Sequence, residues 1–222
     1  MSLLHVFDMD GTLLRGTTAS MEIAKVLGCV KELQNLEHDF SRGIINTQQF
    51  AMQIFYLWNE LTPDSVSKAA HSAPWINNVR KVLRDIRSRG EKSLVITMSP
   101  DFFANHLLSM GVDIVKASKF PQLPFNEALN PDYILCPEDK VSITDDELSH
   151  HGFNRDQCIA YGDSASDIPL FHALKNTVSV NGDQHIVPWA RVNYEGENMW
   201  EAYLLARKYF AHHLLSNRSC PS

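Results

Sequence analysis

From Pro74 onward, short apolar runs alternate with segments of helical periodicity, and this alternation restricts the chain to one broad architecture. "WINNVRKVLRDIRSRG" carries apolar residues on one helical face and stops at Gly90, and "KSLVIT" follows as a strand. "PDFFANHLLSMG" reads as a helix stopped by Gly111, and "VDIVKAS" as a strand. A proline-rich stretch, 118–138, offers at most a short hairpin. Beyond it, "DKVSITDDELSHHG" reads as a helix, "QCIAYG" as a strand, "DIPLFHAL" as a helix, "NTVSV" as a strand and "ENMWEAYLLARKYFAHHLL" as a closing helix. "LLHVF", residues 3–7, adds an apolar strand at the start. Strands separated by helices pair in parallel, with right-handed crossovers and helices on both faces. At 222 residues the chain can bury such a core and still carry an insertion.

The insertion is expected between residues 16 and 73. Apolar positions recur at helical spacing in "SMEIAKVLG", "VKELQNLEHDF" and "TQQFAMQIFYLWNEL". "TPDSVSKAAHSA" offers Thr62 as an N-cap with Pro63 at the first helical position. Four helices with no strand between them predict a small all-helical unit at 16–73, set into an α/β core made of 1–15 and 74–222. The aromatic run "FAMQIFYLW" reads as the packed face of its helix.

Composition narrows the function. A net charge of −6 with no Lys/Arg-rich run argues against nucleic acid or an anionic membrane as partner. No apolar run approaches the ~20 residues of a membrane helix. "MSLLHVFDMDG" lacks a basic leader and reaches polar, functional-looking residues at once, which predicts a cytoplasmic protein. Cys29, Cys136, Cys158 and Cys220 are scattered without a CxxC and fit reduced thiols. The pairs His150–His151 and His212–His213 lack ligand spacing and read as surface residues, and "SNRSCPS" is expected to fray.

In an open parallel sheet, ligands bind at the carboxyl ends of the strands. The residues found there are Asp8 and Asp10 after the first strand, Thr97 at the end of "SLVIT", and Asp163 after "CIAYG". Lys140 begins the helix before that last strand, and Asp167 lies one helical turn beyond Asp163 if a helix starts at Ser164. Ser99 is a second hydroxyl beside Thr97. Carboxylates converging at one sheet end repel, and a hard divalent cation removes the conflict; Mg2+ takes one or two carboxylates together with water and phosphate oxygens. A turn at Gly11 can bring Asp8 and Asp10 to one pocket.

Such a group suits phosphoryl transfer. A carboxylate can attack phosphorus and form an aspartyl phosphate, dividing a hard hydrolysis into two displacements. A carboxylic acid two residues away can protonate the leaving oxygen and later activate water. Mg2+ and an ammonium such as Lys140 would balance the charge on the phosphoryl group, and a hydroxyl such as Thr97 would fix one of its oxygens.

"DMDGT" after an apolar strand, a Thr or Ser ending the next core strand, a lone Lys and then "GDSASD" resemble, in order and spacing, the motifs of the haloacid dehalogenase superfamily of phosphohydrolases. The likeness runs from residue 3 to about 182, and the helical insert directly after the first motif looks like the cap of the phosphoserine-phosphatase-like branch. The resemblance implies a Rossmann-like core, with Asp8 as nucleophile and Asp10 as acid/base. It further implies phosphoryl binding by Thr97 and Lys140, with Ser99 as the alternative hydroxyl. Metal binding would fall to Asp8, the Asp10 carbonyl and Asp163, supported by Asp167.

Phosphoserine phosphatases of this branch carry a Glu nine residues after the nucleophile and an Arg in the cap. Here that position is Thr17, and no Lys or Arg occurs from Gly43 through Ser67. A substrate carboxylate would therefore lack its bidentate partner unless Arg15 or Arg42 substituted. The expectation is a Mg2+-dependent phosphatase, monomer or homodimer, acting on a small phosphorylated metabolite other than phosphoserine. The alternatives are a phosphomutase or phosphotransferase using the same residues, and a non-enzymatic phospho-metabolite binding protein.

Overall fold

The computed structural model describes residues 2–216, with side chains as far as Phe210; the expectations for His212–His213, Cys220 and the C-terminal residues beyond Ser216 lie outside these. Strand β1 (Leu4–Phe7) is followed by α1 (Ala19–Leu27), α2 (Val30–Ser41), α3 (Thr47–Leu57) and α4 (Pro63–Ser72). Then come α5 (Val79–Ser88), β2 (Lys92–Pro100), α6 (Asp101–Ala104), α7 (His106–Met110) and β3 (Ile114–Ser118). The remainder is α8 (Asp139–His151), β4 (Cys158–Gly162), α9 (Ile168–Ala173), β5 (Thr177–Val180), β6 (Val192–Tyr194) and α10 (Met199–Ser216).

Among the described residues, six strands form one parallel sheet in the order β3-β2-β1-β4-β5-β6. β1 is buried throughout and lies between β2 and β4, with Phe7 opposite both Val95 and Tyr161. Alternation along the strands sorts their side chains to two faces. Phe7, Val95, Ile159 and Tyr161 meet Val82 and Ile86 of α5 and Ala202 and Tyr203 of α10. Leu4, Val6, Leu94, Ile96 and Ala160 meet Leu148 of α8 and Leu170 and Phe171 of α9. Both faces are thus covered, as the alternating sequence predicted.

The four helices between β1 and α5 start where local chemistry directs. Thr18 accepts the Met21 N–H at the head of α1, Asn46 and Gln49 form a reciprocal capping box on α3, and Thr62 precedes Pro63 on α4. Leu33, Ile54 and Trp58 bury their apolar faces in the same cluster as Phe7 and Leu13. The chain leaves the core along Leu13–Arg15 and returns beside it: the Arg15 N–H donates to Pro74 O at 3.0 Å and the Ile76 N–H to Leu13 O at 2.9 Å.

Several details differ from the sequence reading. β6 has only three residues, too few to show a pattern. α5 begins at Val79, because Asn78 adopts a left-handed conformation (φ 67°) and Trp75 pairs with Leu14 instead. The helix expected over 101–110 is split at Asn105. The stretch 118–138 holds a 3-10 turn at Pro131–Tyr133 and no hairpin. Cys29, Cys136 and Cys158 are free thiols. His150 is exposed, whereas His151 is half-buried against Phe153. No helix among the described residues is long and apolar enough to cross a membrane.

Candidate active site

The end of β1 delivers Asp8 between its neighbours, and its backbone N–H donates to Tyr161 O at 2.9 Å, continuing the ladder by one residue. The chain then turns tightly. The N–H groups of Leu13 and Leu14 both reach Met9 O, at 2.9 and 2.8 Å, and Gly11 sits at φ +84°. A β-carbon on Gly11 would lie 2.0 Å from Oδ2 of Asp163, so the turn approaches the end of β4 more closely than any side chain permits.

Asp8, Asp163 and Asp167 each present a carboxylate oxygen, all within 4.8 Å of one another. Lys140, near the start of α8, is 2 % exposed, and its Nζ donates at 2.6 Å to Oδ1 of both Asp8 and Asp167. Oδ2 of Asp167 accepts the Asp163 and Ser164 N–H groups, at 3.0 and 3.4 Å. Asp167 is therefore buried inside a 3-10 turn at Ala165–Asp167 and is not an exposed residue of a helical first turn. Oδ1 of Asp163 accepts the Thr12 hydroxyl at 2.9 Å. Thr12, a hydroxyl directly after the tight-turn glycine, is not among the site residues expected from the sequence.

Asp10 stands apart from this triad. Its Oδ1 accepts the Ala19 N–H at 2.6 Å, and its Oδ2 accepts the Thr97 hydroxyl at 3.0 Å. Its carboxylate thus joins the head of α1 to the end of β2. Thr97 is buried and also accepts the Ser99 N–H at 3.1 Å, while Ser99 is the more accessible of the two hydroxyls. Glu37 of α2, which the sequence argument also passed over, accepts the Thr18 hydroxyl at 3.1 Å; burial raises its pKa and the charge of Asp10 adds to the effect. A cavity of about 410 Å³ opens beside Asp163, bounded by Gly11, Arg15, Gly16, Asn181, Gly196 and Glu197.

Burial dominates the electrostatics. It pushes Asp8 well above the ordinary carboxylate range against the pull of Lys140, and Asp167, Asp163 and Asp10 push the same way. Asp163 is pushed up to about 7 by burial and by the charge of Asp167. Asp10 is raised by burial although the Ala19 N–H and the hydroxyls of Ser99 and Thr97 oppose it. Burial works against the charge of Lys140, but the carboxylates of Asp167 and Asp8 outweigh it and hold the ammonium protonated. Three crowded carboxylates served by one ammonium form an all-oxygen donor set that can hold a hard divalent cation, the partner that would relieve their repulsion.

Known proteins share this fold. A phosphoserine phosphatase of Methanocaldococcus jannaschii is 24% identical over 172 residues, covering 76% of this chain and 80% of that one. The structure of a substrate-bound phosphoserine phosphatase superposes with a TM-score of 0.77 at 20% identity, over 90% of this chain and 96% of the other. A hydrolase of the haloacid dehalogenase family from Salmonella enterica serovar Typhi superposes with a TM-score of 0.80 at 15% identity, over 91% and 71% of the two chains. The family profile of haloacid dehalogenase-like hydrolases matches residues 5–172, a span that contains Asp8 and Asp10, Lys140, Asp163 and Asp167. This chain belongs to the haloacid dehalogenase-like hydrolase family.

Proposed function

We propose that the protein is a Mg2+-dependent phosphatase that hydrolyses small phosphate monoesters through an aspartyl phosphate on Asp8. The observation that carries this reading is the division of labour between two neighbouring carboxylates. Asp8 lies in the acidic triad against Lys140, whereas Asp10 is turned away and held by Thr97 and Ala19. Burial raises both carboxylates, but only Asp8 touches an ammonium, whose charge favours the ionised, nucleophilic form, whereas Asp10 is met by an amide and hydroxyls, which suits an acid/base.

An oxygen of Asp8 attacks phosphorus while the bond to the leaving oxygen breaks, and Asp10 gives that oxygen its proton. Water then attacks the same phosphorus, Asp10 takes a proton from it, and the Asp8 carboxylate is released with inorganic phosphate. Lys140 balances charge on the phosphoryl oxygens, and Thr97 and Ser99 offer the hydroxyls that orient them. Mg2+, held by Asp8, the Asp10 carbonyl and Asp163 with support from Asp167, would supply further positive charge at the phosphoryl group.

In this reading residues 16–73 form a cap over a core of 1–15 and 74–222. The Thr17 hydroxyl is engaged with Glu22, whose charge is met by Lys25. With no Lys or Arg between Gly43 and Ser67, the cap offers Glu37 and Thr18 there, and Arg15, which lines the cavity beside Asp163, is already paired with Glu197, which supports a hydroxyl-bearing leaving group over phosphoserine.

The test is hydrolysis of an aryl phosphate by the wild type and by Asp8→Asn, with and without Mg2+, in 18O-labelled water. Release of phosphate carrying one labelled oxygen, by the wild type with metal only, is the expected result. Equal rates in the variant would overturn the nucleophile assignment. Transfer to an added alcohol without label would replace hydrolysis by phosphotransfer.

A further inference from the structure

We infer that the seam between α4, α5 and α7 is a second binding site, for a small organic polyanion of the nucleoside di- or triphosphate class. A cavity of about 440 Å³ opens there, with no residue of the acidic triad in its lining. Its wall carries Arg80, Lys81 and Arg84 together with His71 and His106, and no carboxylate lines it. In a chain of net charge −6 this is a local reversal of sign.

The pairing of the cations on α5 separates two groups. Arg87 is bound to Asp113 at 3.3 Å and Arg89 to Asp85 at 2.6 Å. The three that face the cavity have no carboxylate partner among the described residues. Arg80 donates to the Ser109 carbonyl at 3.0 Å, the Lys81 ammonium sits 4.1 Å above the Trp200 ring, and Arg84 makes no ion pair. Unpaired cations converging on a concave surface are held there against mutual repulsion, and a polyvalent anion removes that repulsion. The cavity also contains the first turn of α5, whose N-cap residue Asn78 provides no side-chain cap, so the helix's own positive end adds to the field.

The remaining wall is apolar: Trp75, Ile76 and Met110. It calls for a ligand with an apolar or planar part beside its charges, which a bare phosphate lacks, and the volume falls in the range of small-molecule pockets, about 300–1,000 Å³. His71 and His106, with ring centroids 5.9 Å apart, close one side and can donate to phosphate oxygens.

The experiment is titration calorimetry of the wild type with ADP, and separately with tripolyphosphate, in the absence of Mg2+, where a phosphate would find no metal at Asp8. An Arg80→Glu/Arg84→Glu variant and the milder Arg84→Gln are measured alongside, each checked for an unchanged melting curve and unchanged turnover of an aryl phosphate. The expected result is saturable one-to-one binding that weakens as salt rises, tighter for ADP than for tripolyphosphate, lost at least tenfold in the double variant and reduced in Arg84→Gln. No saturation by millimolar ADP overturns the inference. So does equal binding by wild type and both variants, or preferential binding of single-stranded RNA.

Discussion

Replacing Gly11 by Ala tests how tightly the carboxylate-bearing end of the sheet is built. The new β-carbon would stand 2.0 Å from Oδ2, 2.5 Å from Cγ and 2.8 Å from Oδ1 of Asp163, where ordinary contact begins near 3.4 Å. The whole carboxylate must retreat by about 1.4 Å, which also draws it off the Thr12 hydroxyl. A ligand displaced that far is expected to weaken Mg2+ binding by at least the ~10–100-fold that loss of a supporting contact typically costs. Left-handed φ for a residue with a β-carbon costs a further ~1–2 kcal/mol of stability, or about 2–8 °C in melting temperature for a chain of this size. Gly90→Ala separates the two effects, because Gly90 has φ +69° with nothing within 4 Å of its virtual β-carbon. It should lose the same stability and keep its metal. The assay is Mg2+ titration of aryl phosphate hydrolysis and of heat released on binding, with melting curves for both variants. If Gly11→Ala binds Mg2+ within about twofold of Gly90→Ala, the close approach of the turn to Asp163 does not govern the site and the reasoning fails.

Lys140→Met leaves Asp8 and Asp167 buried without their shared cation. It should cost about 3–5 kcal/mol in chemical denaturation and about 10²–10³ in turnover; a stability change under about 1 kcal/mol would show the pair is not what holds the triad. Asp10→Asn should abolish turnover while Mg2+ affinity stays within about twofold, since only a carbonyl is assigned to the ion; calorimetry beside kinetics decides it. For pH, the unfolded chain releases the Asp163 proton near 3.8, whereas the metal-free fold keeps it up to about 7. The contribution of Asp163 to stability is therefore greatest below the unfolded value and falls as pH rises through that window. The wild type, measured by urea unfolding without metal, should lose stability relative to Asp163→Asn between pH 4 and 7 and run parallel to it above; Mg2+ affinity should rise over the same interval.

The strand–helix alternation was legible because each core strand carries its apolar character locally, and strand ends can be read without knowing their neighbours. That sufficed to find Asp8 and Asp163; Lys140, at the head of a helix, was marked by the order of the motifs, and the fold brings all three together. What escaped depends on partners far along the chain. The apolar reading of "LLHVF" passes over His5, fully buried between Tyr161 and Glu91, with Glu91 in turn bound by Arg207. No local pattern announces a histidine satisfied by residues from β4, the α5–β2 turn and α10. The direction of the Asp10 side chain was equally hidden, since it is set by the Ala19 amide and a hydroxyl of β2. Whether a helix starts at Ser164 could not be read either, because a 3-10 turn closed by the Asp167 carboxylate has no signature distinct from a helix start.

On the proposed reading of residues 16–73 as a lid and Asp10 as proton donor, the grip of Asp10 on the first amide of α1 means that the insert is no interchangeable accessory. A transplanted lid whose opening helix began one residue later would present this carboxylate with another donor or with none. Its acidity would shift along with the shape of the entrance, so exchanging lids to broaden the range of accepted esters would retune proton delivery in the same stroke.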